Sequence, residues 1–238
     1  MFFDPLYMLI ILVTMVLSGV ASSLVKARFS RGEKTPLSRN LSGAQVAARV
    51  LQAASVEGVR IVETGGFLSD HYNPVTRTLS LSRNVYNGRN AAAAGVAAHE
   101  AGHAIQHAQK YFPLWFRSAV VPAANLGSRL GPWIVIAGIL LGSVRGSSLG
   151  YSVALFGILL FGIATLFTLI TLPVEYNASA RARKMLAETG IVSPGREADA
   201  AAGVLSAAGL TYVAAAANSL LMLLYWASRA GLLGRRRD

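Results

Sequence analysis

Residues 146–174 read GSSLGYSVALFGILLFGIATLFTLITLPV, without a single charged side chain. About 20 apolar residues in a helix suffice to cross the hydrocarbon core of a bilayer. Three further uncharged stretches, residues 5–25, 130–144 and 200–228, stand on either side of this one. They explain why the 238-residue chain is 53% hydrophobic and only 14% charged, where a globular domain carries roughly a quarter charged residues. An ordinary soluble protein and a disordered chain are both excluded. The absence of cysteine excludes a disulfide framework, an iron–sulfur cluster and a thiolate metal site. The formal charge of +11, from 22 basic and 11 acidic residues, would point to nucleic acid on a soluble protein. On a membrane protein it fits cations facing anionic lipid on the cytoplasmic side, so the lipid bilayer is the expected partner and nucleic acid is not.

Working outward, residues 118–174 read as a transmembrane hairpin, with spans at about 131–144 and 149–172 joined by a tiny loop around Arg145. The first span is short unless it begins within residues 120–130, where Arg129 must snorkel or find a partner. Residues 5–25 read as an uncleaved anchor. Asp4 is the only charge before Lys26, which is unlike a signal peptide, although Ala21 and Ser23 could mimic a cleavage site. Lys26, Arg28, Arg31, Lys34 and Arg39 follow the anchor, so its N-terminus is expected outside and residues 26–117, an extramembrane block, in the cytoplasm. A hairpin returns the chain to the side it left, placing residues 175–199 with that block. With Arg129 snorkelling to the same side, this puts 17 of the 22 basic residues in the cytoplasm. Residues 200–228 form a last apolar segment, either transmembrane or re-entrant, and 229–238 a basic tail. Arg235, Arg236 and Arg237 conflict with a simple count of four crossings.

Inside the polar block, Ser42 can cap a helix to about residue 54. Val59, Ile61 and Val62 suggest a short strand, Gly65 and Gly66 a turn, and residues 75–82 a second, half-exposed strand alternating Thr76, Thr78 and Ser80 with Arg77, Leu79 and Leu81. Residues 91–109, AAAAGVAAHEAGHAIQHAQ, are helical in composition and contain His99-Glu100-Ala101-Gly102-His103. Two histidines four apart share a helical face about 6 Å apart along the axis, so both imidazoles can reach one zinc ion at bonds of roughly 2 Å. Glu100, rotated about 100° from His99, can sit beside the metal without binding it and take a proton from a zinc-bound water. The rival reading, two solvated histidines on a helix, is disfavoured by the small Ala97, Ala98, Ala101 and Gly102 around them.

A catalytic zinc site needs a third protein ligand. His107 continues the spacing, but about 12 Å of helix separates it from His99, and nothing between His103 and His107 breaks the helix. Glu175 is a better candidate: it follows a long span and Pro173, and its helical neighbours Ala178, Ser179 and Ala182 are small enough for close packing. An interfacial acid at a membrane boundary is the competing reading, and the hairpin favours the ligand. For a donor to the transition state, His71, Tyr86, Tyr176 and Tyr212 are equal candidates.

The ordered set Leu68-Ser69-Asp70-His71-Tyr72-Asn73-Pro74, Leu79-Ser80-Leu81-Ser82, the string 96–108 around the two histidines, and Leu172-Pro173-Val174-Glu175-Tyr176-Asn177-Ala178-Ser179 resembles the bacterial YugP-type family of neutral zinc metallopeptidases. More distantly it is similar to the HtpX and CAAX-processing peptidases, which are gluzincins. The resemblance covers nearly the whole chain. It implies His99, His103 and Glu175 as ligands of one Zn2+ ion and Glu100 as catalytic base. The HtpX pattern commonly carries an aspartate four residues after the glutamate ligand, whereas Ser179 stands there here. In gluzincins a strand before the metal helix offers a free edge to an extended substrate, which would assign substrate binding to Thr78, Leu79 and Ser80. The same polar alternation is what any exposed edge needs against aggregation.

The expected fold is mainly α: a multi-pass helical membrane protein with a small α+β gluzincin-like metallopeptidase domain carrying the HExxH helix. The expected function is a membrane-bound zinc endopeptidase cleaving a peptide or membrane-protein substrate at the membrane surface. The alternative is a non-catalytic membrane scaffold or adaptor stabilised by zinc. A transporter fits less well because the spans carry almost no ionisable residues. The uncharged part of the metal helix, residues 91–98, is too short to span, which favours an interfacial site over an intramembrane one.

Overall fold

The computed structural model describes residues 4–66, 69–145 and 148–232. Leu68, Gly146 and the tail arginines Arg235, Arg236 and Arg237 lie outside the described residues. The chain is mainly helical with one small sheet, in the order α1 (Pro5–Glu33), α2 (Gly43–Ala53), β1 (Arg60–Thr64), β2 (His71–Asn73), β3 (Thr78–Ser82), α3 (Arg83–Asn87), α4 (Ala91–Ala108), α5 (Phe112–Arg145), α6 (Ser148–Glu188) and α7 (Arg196–Arg229). Among the described residues, four helices, α1, α5, α6 and α7, are long and apolar enough to cross a membrane.

The contacts divide the chain into two units. One takes the described residues of Met1–Gly19, Phe116–Leu172 and Tyr212–Asp238. Its interior is thin, with Ile10, Val135, Ile158, Tyr225 and Trp226 buried together, while Leu9, Met15, Trp133 and Leu159 are exposed. Broad apolar exposure of this kind suits contact with lipid rather than water. The α5 and α6 backbones approach through small residues: a Cβ on Gly138 would stand 2.2 Å from the amide nitrogen of Ala154. At one end of the unit Asp4 accepts a hydrogen bond from Tyr225 at 3.3 Å and pairs with Arg229 at 3.4 Å.

The other unit comprises Val20–Trp115 and Pro173–Thr211. Ser42 caps α2 through a reciprocal box with Gln45, turning Val46, Ala47, Val50 and Leu51 into the core. Asn90 caps α4 by accepting from the Ala93 amide. Alanines on almost every face let α4 be buried nearly all round. Leu79, Leu81, Val85, Leu186, Ile191 and Leu205 complete the same core.

The sheet corrects the expected strand at 75–82. Asn73 Oδ1 accepts from the amides of Val75 and Thr76, and Arg77 is left-handed at φ 49°, so residues 74–77 form a turn. The strand begins at Thr78 and pairs with the short β2 that precedes the turn. The order is β1-β3-β2, with β1 parallel and β2 antiparallel to the middle strand. Thr78, Leu79 and Ser80 are hydrogen-bonded on both sides, opposite Asn73, Tyr72 and His71 on one edge and Arg60, Ile61 and Val62 on the other. Residues 79–82 are therefore buried rather than half-exposed, and β3 has no free edge to offer a substrate. The unpaired edges belong to β1 and β2.

Two helices also run through expected boundaries. α6 continues from the apolar run through Pro173 to Glu188, so Glu175 sits within it rather than starting a new helix. α7 begins at Arg196, before the apolar segment starts.

Candidate metal centre

His99 and His103 lie one turn apart on α4, and Glu175 lies on the last part of α6, beyond Pro173. The helices can meet because the residues between them are small. A Cβ added to Gly102 would lie 2.7 Å from the Ala178 carbonyl oxygen, a separation only glycine tolerates. Ala101, Ala178 and Ala182 are fully buried.

The Glu175 Oε2 atom stands 3.1 Å from His99 Nε2 and 3.5 Å from His103 Nε2. Ligand atoms on a tetrahedral zinc with bonds near 2.0–2.1 Å are about 3.3 Å apart, so these two separations bracket what one ion requires. The donor atoms of all three residues fall within 4.8 Å of one another. The imidazoles meet edge to face, their planes 83° apart.

The rear nitrogens of both rings are also held. Gln106, fully buried, donates its amide hydrogens to the Val174 carbonyl at 2.8 Å and to Asn177 Oδ1 at 3.0 Å. Its Oε1 must then accept, and His103 Nδ1 donates to it at 3.0 Å. In the neutral ring this leaves the Nε2 lone pair free for a metal, whereas the protonated ring turns Nε2–H towards Glu175. The Ser179 hydroxyl lies 3.1 Å from His99 Nδ1 and can hold the second ring the same way. Asn177 in turn accepts from Arg181 Nε at 2.7 Å, extending the network along α6.

Electrostatics favour a cation here. Burial opposes a charge on the His103 ring, but the Glu175 hydrogen bond, the charges of Glu100 and Glu175, and the Gln106 contact override it and raise the ring above the ordinary imidazole value. Glu100 is only 8% exposed and, among the described residues, has no hydrogen bond or ion pair. Its oxygens are not among the described buried side-chain atoms that lack a partner, and its charge acts on the neighbouring His103 ring. The donor set and its spacing fit zinc.

The other expected site residues lie elsewhere. His107 Nδ1 meets the Tyr72 hydroxyl at 2.9 Å and is not in the cluster. His71 is exposed and binds the Ser69 carbonyl, Tyr86 packs on the core, Tyr176 is largely exposed, and Tyr212 lies on α7. Thr78, Leu79 and Ser80 lie in the centre of the sheet. Sequence reasoning passed over Gln106 and Asn177. Their signal was slight: an uncharged amide three residues after His103 in an alanine-rich helix, and another two after Glu175.

The sequence also matches known proteins. Residues 7–231 match the family described as putative neutral zinc metallopeptidase. The chain is 40% identical over 219 residues to the "putative membrane protease YugP" of Bacillus subtilis (strain 168), covering 92% of this chain and 94% of that protein. No solved structure matches it. With the family match spanning nearly the whole sequence, the chain belongs to the putative neutral zinc metallopeptidase family.

Proposed function

We propose that the protein is a zinc-dependent endopeptidase acting at the membrane surface, on the cytoplasmic side. His99, His103 and Glu175 hold the ion and Glu100 serves as general base. The observation that carries this reading is the meeting of His99 and His103 with Glu175, 72 residues beyond His103 in sequence, with the charge of Glu100 acting on the His103 ring. Bound zinc would polarise the scissile carbonyl and acidify the attacking water. Glu100 takes the water's proton onto its carboxylate and delivers it to the departing amide nitrogen. Gln106 and Ser179 hold the imidazoles in the orientation this needs, and the small, buried surroundings limit bulk water. An extended peptide finds its free strand edge on β2 rather than β3, since β2 packs against α4 and is paired on one side only.

The test is Glu100→Gln, which is nearly isosteric and leaves the three ligands in place. Purified in detergent and offered an unfolded protein such as casein, the variant should keep its zinc and lose hydrolysis by at least about 100-fold, the scale of a general base. Undiminished cleavage would sink the mechanism. Zinc that only ties α4 to α6, as in a scaffold, predicts instead that chelation unfolds the protein while wild type and Glu100→Gln are equally inert.

A further inference from the structure

The end of α1 and the start of α7 enclose a cavity of about 830 Å3 that plays no part in the site above. Arg28, Arg31 and Lys34 line it from one face of α1 and its end, at spacings of three, and Arg196 lines it from α7. Asp199 is its only acid. All five side chains belong to exposed residues, and among the described residues none forms an ion pair or a side-chain hydrogen bond. Four unpaired cations around one hollow repel one another, and an anion placed there relieves the repulsion. The size is that of a small-ligand site.

A second cavity, of about 610 Å3, adjoins the first and shares Arg28, Asp199 and Gly203 with it. Its lining sets Leu24, Leu205 and Leu210 beside Tyr176, Arg183 and Ser206, and includes Ser179 of the metal centre. A cationic hollow opening onto one that carries three leucines among polar groups matches an amphiphile with a phosphate at one end and hydrocarbon at the other. The α1 residues also follow directly on the membrane-length apolar run of the same helix, where anionic headgroups lie. We propose that these joined cavities bind the phosphate of an anionic lipid headgroup, with Arg28, Arg31, Lys34 and Arg196 as its cationic ligands and Leu24, Leu205 and Leu210 of the second cavity taking the start of an acyl chain.

The shared chemistry, a phosphate on cations, could also come from a soluble phosphate ester, so the experiment separates the two. The full chain in a neutral detergent is titrated with short-chain phosphatidylglycerol, with phosphatidylcholine of the same chain length, and with glycerol phosphate, and the rise in melting temperature is followed. Phosphatidylglycerol should give a saturable rise and phosphatidylcholine none. Arg31→Gln with Arg196→Gln should weaken apparent affinity by about fivefold for each cation removed. Arg49→Gln with Arg83→Gln removes the same charge elsewhere and should leave the affinity as it was. Asp199→Asn should tighten binding, a gain that misfolding cannot mimic. Equal weakening by both double variants would reduce the effect to net charge and overturn the site. Glycerol phosphate binding as tightly as phosphatidylglycerol would overturn the lipid assignment.

Discussion

Gln106 is uncharged and fully buried, and its side-chain hydrogen bonds end on one zinc-ligand candidate and on both sides of the other: His103, the Val174 carbonyl and Asn177. A leucine would fill the space but leave those groups without partners, at about 1–3 kcal/mol for a buried group so stranded. It would also free the His103 ring to turn. Gln106→Leu is therefore expected to weaken zinc binding by about 10- to 100-fold, measured by competition with a chromophoric chelator. The raised His103 ring makes a second prediction. In the metal-free protein it stays protonated to higher pH than an ordinary imidazole, and zinc must displace that proton. Zinc affinity should be level above the raised value and fall below it, by about tenfold per pH unit for each proton displaced. Zinc titrations at stepped pH would reveal this; a fall beginning only below the ordinary imidazole range would contradict it.

Among the elements, the contact between α4 and the end of α6 is decisive, and Gly102 sets its closeness. With a methyl group at that position the Ala178 carbonyl would be met at 2.7 Å, so the helices must part. Gly102→Ala should cost about 1–3 kcal/mol as an overpacked core and should lower zinc affinity as well, because Glu175 recedes from both histidines. Thermal melting and zinc titration on one preparation would test both effects. Local pattern made some elements legible in advance. Ser42 with its apolar repeat marked α2, and the alanine-rich string marked α4 together with the shared face of His99 and His103. The return of the chain through a hairpin pointed to Glu175 as a candidate for the same place. The strands were less legible for a physical reason. β2 is three residues long, too short for alternation to register, and the position of β3 in the middle of the sheet depends on a partner supplied by the turn at Asn73 and Pro74. Alternation at 76–81 looked like an edge, although Arg77 is left-handed and outside the strand. Pro173 looked like a boundary, yet α6 runs through it. Gln106 was passed over because nothing in sequence separates an orienting amide from a surface one.

At the scale of the whole molecule, four membrane-length helices accompany a unit whose soluble-type core surrounds the candidate centre. The distribution of arginine and lysine predicts that this unit faces the cytoplasm. The chain has no cysteine of its own, so a single introduced thiol reports cleanly. Arg49→Cys, on the exposed surface of α2, should react with a membrane-impermeant maleimide only after cells are opened. Labelling of intact cells would reverse the orientation. Zinc bound between α4 and α6 should also stabilise the folded state by mass action, raising the melting temperature with free zinc and lowering it with chelator. One ion held by two imidazoles and a carboxylate from separate helices is the central expectation, and zinc K-edge X-ray absorption on the purified protein and on Glu175→Ala tests it most directly. The prediction is a shell with two imidazole nitrogens and oxygen donors in the wild type, and loss of the ion from the variant on dialysis. A third imidazole in the wild-type shell, or unchanged occupancy and spectrum in Glu175→Ala, would contradict it.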